Sequence, residues 1–75
     1  MRFEPRRCEK TGKIFCLVRL DPGETKENIK KRDSKIRGEC LDLCEDESEV
    51  VKLVNSPIEV IGEACGYYIV LFLDL

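Results

Sequence analysis

The chain predicts one α+β domain, and three observations predict it. Strand-like alternation over residues 2–20 is interrupted once, by Thr11-Gly12-Lys13, as in a hairpin. The next segment carries acids at its start and bases at its end, as a helix does. The chain closes on Tyr67 to Leu75, apolar at nearly every position, as a buried strand is.

Residues 2–8 and 13–20 read as the two hairpin strands. Gly12 supplies the positive φ that a tight turn needs, and Pro5 confines the first strand to an edge or a bulge. Ile14, Cys16, Val18 and Leu20 alternate with Phe15, Leu17 and Arg19, so the second strand is apolar on much of both faces. Asp21-Pro22-Gly23 breaks it. Thr25 is a suitable N-cap, with Glu24 and Glu27 at the positive end of a helix over residues 26–37. Lys30, Lys31, Arg32, Lys35 and Arg37 sit at the negative end. The helix has two possible ends, Gly38 as a C-cap glycine or a point near Cys44. Glu45 to Glu49 reads as a solvated acidic turn. Val50 to Val54 and Ile58 to Ile61 read as short strands, and Gly62 to Gly66 as a connector.

Several of these stretches resemble a known family. Thr11-Gly12-Lys13 is similar to the first turn of ubiquitin. Pro22 followed by Thr25-Lys26-Glu27-Asn28-Ile29-Lys30 resembles the capped start of the ubiquitin helix. Ile61-Gly62-Glu63-Ala64-Cys65-Gly66-Tyr67 resembles the connector before the last strand in ubiquitin-like domains. The resemblance implies a β-grasp fold over a single domain, residues 1–75. It would be a mixed sheet with one helix across one face and the last strand beside the first. It departs from the family in three places. The chain ends Leu73-Asp74-Leu75 without a diglycine tail, so conjugation is not implied. Asp33 stands where a buried aliphatic is expected, and residues 39–45 exceed the usual loop.

Charge divides the chain. Residues 1–37 hold twelve bases against six acids, a net of +6; residues 38–75 hold Lys52 against nine acids, a net of −8. That polarity speaks to partners rather than chemistry. There is no histidine, hence no His-based acid–base chemistry, and no spacing pairs a nucleophile with a base. The expectation is a non-enzymatic protein without a cofactor. No apolar run approaches the ~20 residues of a membrane span, and no apolar leader core follows Met1, so a cytoplasmic or nuclear location is expected.

The functional expectation is a protein–protein interaction module, a complex subunit or a small inhibitor, working through the open face of its sheet. If Ile69, Leu71 and Leu73 pack under the helix, then Tyr68, Val70 and Phe72 lie on the open face and contact the partner. The partner is another protein, or a second copy held by opposite charges. The basic face of Lys30, Lys31, Arg32, Lys35 and Arg37 lacks aromatic interleaving, so nucleic acid is not the expected partner. The alternative is a four-cysteine zinc module with a basic, nucleic-acid-facing helix. Cys8 and Cys16 are symmetric about Gly12, and Cys40 and Cys44 share a helix face, which would make two ligand pairs.

Overall fold

The hairpin forms, with a longer turn than its glycine suggests. In the computed structural model, which describes all 75 residues, β1 (Arg2–Arg7) pairs antiparallel with β2 (Ile14–Arg19), placing Arg7 opposite Ile14 and Phe3 opposite Val18. The turn is closed by the Cys8 N–H donating to the Lys13 carbonyl at 2.8 Å and the Gly12 N–H donating to the Cys8 carbonyl at 2.8 Å. Gly12 takes φ of 72° inside this turn, but it is not the turn's centre of symmetry. Cys16 therefore stands opposite Pro5, not opposite Cys8.

The helical segment is present and broken. α1 (Glu27–Lys31) and α2 (Asp33–Leu41) meet at Arg32, whose φ of −102° and ψ of 26° interrupt the spiral. The helix passes through Gly38 and ends at Leu41, with looser turns bringing the chain to Cys44. Ile29, Ile36 and Cys40 line its buried side, at spacings of seven and four that bring them to one stripe. The start is capped differently from the expectation. The Asn28 side-chain oxygen accepts from the Thr25 N–H at 3.1 Å and from its hydroxyl at 2.8 Å.

Residues 50–54, expected as a strand, belong to α3 (Glu47–Asn55). The Asp46 carboxylate accepts from the Glu49 N–H at 2.8 Å, satisfying one of the orphan donors at the helix start. Glu47 and Glu49 place negative charge in the first turn. The segment taken for an acidic turn is thus the entry to a helix, and its cap overrides the β-propensity of the valines.

β3 (Ile58–Ala64) and β4 (Tyr67–Phe72) form a second hairpin around Cys65-Gly66, with φ of 52° and 82°. The strand order is β1-β2-β4-β3, every neighbouring pair antiparallel. The α+β class stands. The mixed sheet with a single helix is corrected to an antiparallel sheet with three helices, in which the last strand lies beside β2 rather than β1. The reason is the two-residue turn. It forces β4 to run back along β3, and the helices return the chain so that this hairpin docks by β4 against β2.

The helices lie on one face of the sheet, α2 against β1 and β2 and α3 against α2. Between the layers sit Ile14, Cys16 and Val18 of β2, Val70 and Phe72 of β4, the three α1–α2 residues above, and Leu53 of α3.

Candidate interaction face

Strand alternation assigns every sheet residue to one face or the other. Phe3, Ile14, Cys16, Val18, Tyr68, Val70 and Phe72 face the helices or pack against the core. Phe15, Leu17, Arg19, Tyr67, Ile69 and Leu71 face away. This reverses the expected parity of the last strand. Val70 is fully buried, Phe72 is 4 % exposed, and Tyr68 packs against the core, whereas Ile69 and Leu71 are half-buried and Leu73 is exposed. Tyr68, Val70 and Phe72 are therefore core, not a partner-binding set. A strand apolar on both sides carries no internal label of which side the helices cover; the register with β2 decides it, by placing Val70 opposite Cys16 and Tyr68 opposite Val18.

The uncovered face has an apolar centre on its two middle strands. Phe15 stands opposite Leu71, and Leu17 opposite Ile69. A bulge in β3 sets both Ile61 and Gly62 against Ile69. Alternation from core-packed Val60 puts Ile61, half exposed, on the open side. Charges frame this centre. Arg2, Glu4 and Arg6 project from β1, and the Arg6 guanidinium lies 3.9 Å from the Glu4 carboxylate. The Arg19 guanidinium sits 5.9 Å from the centroid of the Tyr67 ring. On the opposite edge β3 presents Glu59, opposite Leu71, and no base, while Glu63, opposite Tyr68, lies on the helical side. At the hairpin-turn end the face deepens into a cleft of about 370 Å³, with Cys8, Lys13, Phe15, Leu71 and Leu73 in its wall.

The basic run is not one face. Lys30, Lys31, Arg32 and Lys35 are exposed on the helices, and Lys35 pairs with Glu39 at 3.7 Å. Arg37 turns inward. It pairs with Asp33 and donates to the Leu53 carbonyl at 2.7 Å and the Val54 carbonyl at 3.0 Å. Those carbonyls belong to the last turn of α3, where intrahelical partners run out and the dipole is negative. Arg37 is thus a structural clamp whose guanidinium also lies 5.9 Å from the Phe72 ring. The acidic first turn of α3 is engaged by Arg7. Its guanidinium donates to both Glu49 oxygens, at 2.7 and 3.1 Å, and to the carbonyls of Leu43 and Gly12. The Arg7 contact, with the Glu45 N–H, holds the Glu49 carboxyl below the usual carboxylate range.

The four cysteines of the zinc alternative are not gathered, and no group of three or more His, Cys, Asp or Glu side chains is placed to share a metal ion. Cys16 and Cys40 are buried in the core, where hydrogen bonding to Cys16 and burial keep the Cys40 thiol well above its ordinary range. Cys44 lies beside Arg7 and Glu49, and burial raises its pKa. Cys8 is at the hairpin turn, its pKa lowered by hydrogen bonding to the Thr11 side chain and to the backbone at Thr11 and Lys10. The two ligand pairs fail for the register reason given above and because Cys40 points into the core.

Of the open-face residues, Ile69 and Leu71 were expected in the core and Phe15, Leu17 and Ile61 were not expected as a site, although the two-sided apolarity of the second strand was the signal for two of them. No helix is long and apolar enough to cross a membrane. No protein-family model, curated protein or solved structure matches the chain.

Proposed function

We propose that this protein is a non-enzymatic protein–protein interaction module that binds through the open face of its sheet. One observation carries the reading: Phe15, Leu17, Ile69 and Leu71 form two adjacent cross-strand pairs on the side away from the helices. Apolar side chains contiguous on an uncovered sheet and rimmed by charge mark a surface that meets another molecule. The likeness to ubiquitin-like domains contributes only a way of working, a sheet face open to partners, because the strand order here is different. The module fits a complex subunit or a small inhibitor, in the cytoplasm or nucleus. Its use of Cys16 and Cys40 as core filler suits a reducing compartment.

Photocrosslinking tests the reading. A photoreactive residue at Leu17 or Leu71 should yield discrete protein adducts in cells, and one at Lys35, on the helical side, should not. Adducts that form equally from all three positions, or from none, would refute it.

A further inference from the structure

The open face has a direction across its strands. β1 presents Arg2 and Arg6 with Glu4 between them, β2 adds Arg19, and β3 presents Glu59 in the same row as Arg6, Phe15 and Leu71. The apolar pairs Phe15–Leu71 and Leu17–Ile69 lie on the two central strands, midway between the basic and acidic edges. A surface with an apolar middle and opposite charges at its two edges is complementary to itself under one rotation. We propose that the first occupant of this face is a second copy of the chain, packed sheet to sheet about a two-fold axis parallel to the strands.

The axis follows from the charges. A two-fold along the strands, between β2 and β4, sets β1 of one protomer over β3 of its partner. Each Arg6 then meets a Glu59, twice per dimer. A two-fold across the strands would set β1 over β1 and arginine over arginine. Sheets packed face to face lie about 10 Å apart, a gap that an arginine and a glutamate can bridge when each reaches from its own side. The apolar pairs close on themselves at the axis, as an isologous interface requires. Six-residue strands in four rows give a footprint of roughly 20 by 14 Å, about 280 Å² a side, well below the ~800 Å² per partner of a stable interface and in the class of weak, transient contacts. The dimer is therefore expected to dissociate on dilution and to weaken with salt.

This inference rests on the proposed binding face, and the experiment separates the two. Sedimentation of the full chain at low salt should show concentration-dependent growth from 8.7 kDa toward twice that mass. Leu17→Asp should abolish the growth while keeping the native circular dichroism. Arg6→Glu or Glu59→Arg alone should weaken association about tenfold or more, because the symmetry converts two attractions into two repulsions. Mixing the Arg6→Glu chain with the Glu59→Arg chain should recover it, since each then meets its opposite. Recovery cannot come from a misfolded variant. A monomer up to millimolar concentration overturns the second copy; adducts from Leu17 to other proteins would then leave the binding face standing. Association that survives Leu17→Asp overturns the proposal by placing contact elsewhere. Association lost with Leu17→Asp but not recovered in the mixture overturns the arrangement about the axis.

Discussion

On its two central strands the two faces of the sheet are nearly equal in apolar content and opposite in fate. β4 sends Val70 and Phe72 to the helices and Ile69 and Leu71 to the open side; β2 sends Cys16 and Val18 one way, Phe15 and Leu17 the other. Hydrophobicity does not distinguish them. Their surroundings do. The covered side has Ile29, Ile36, Cys40 and Leu53 above it, and its β1 arginine, Arg7, is tied into the helical layer through Glu49. The open side has only strand residues, and Arg6, one of its two β1 arginines, meets a neighbour on its own strand. The difference teaches that alternation can give a small sheet two apolar faces of which the helical layer covers one.

The largest effect expected from this comparison is a pair of truncations on one strand. Phe72→Ala should cost about 3–5 kcal/mol, the range for a buried phenylalanine, and unfold much of the protein. Leu71→Ala, one residue away on the half-buried side, should cost well under half of that and weaken association instead. Urea melts of both variants decide the matter, and equal losses would mean that the open face is a second core.

Next in size is the clamp between helices. Arg37→Ala leaves the Leu53 and Val54 carbonyls without their donor and removes the pair with Asp33, a loss of about 1–3 kcal/mol. Lys35→Ala, on the outside of the same helix, should lie within about 0.5 kcal/mol of the parent. A chemical denaturation series that ranks the two equally would return Arg37 to the solvated basic face.

Adjacent residues on β1 sharpen the comparison through pH. Because the folded pKa of Glu49 is depressed, its contribution to stability is complete above the ordinary carboxylate pKa and is lost as pH falls through the folded value. Melting temperatures taken from neutral pH into acid should show Arg7→Gln below the parent at neutral pH and converging with it in acid. Arg6→Gln should run parallel to the parent throughout. A constant gap for Arg7→Gln would separate its role from the Glu49 carboxylate.

The smallest effect sits where the hairpin that sets these faces turns back. Cys65 holds φ of 52°, a conformation that asparagine adopts with less strain. Cys65→Asn should raise stability by about 0.5–1 kcal/mol without altering association. A calorimetric loss would mean that the side chain, not the backbone, matters at this turn.

Much of the fold was legible from local chemistry. The first hairpin, the edge character of β1, the helix after Pro22 and the last strand all follow from turn residues, charges and alternation over short windows. The start of α3 was missed although its signal is local: Asp46 followed by Glu49 has the spacing of a cap, which outweighs the strand-like valines after it. The open-face pairs were half legible, in the two-sided apolarity of residues 14–19.

By itself the sequence determined the class, the positions of most elements and the presence of more apolar strand surface than one helical layer would cover. Tertiary structure decided what depends on partners distant in the chain. The register of β4 on β2 chose Val70 and Phe72 for the core, and the docking of α2 on α3 turned Arg37 from a surface base into a clamp. The hairpin's exact register dispersed the cysteines. The physical reason is common to all three. Alternation has a period of two, so it defines two faces without saying which is covered, and only the packing of distant elements breaks that symmetry.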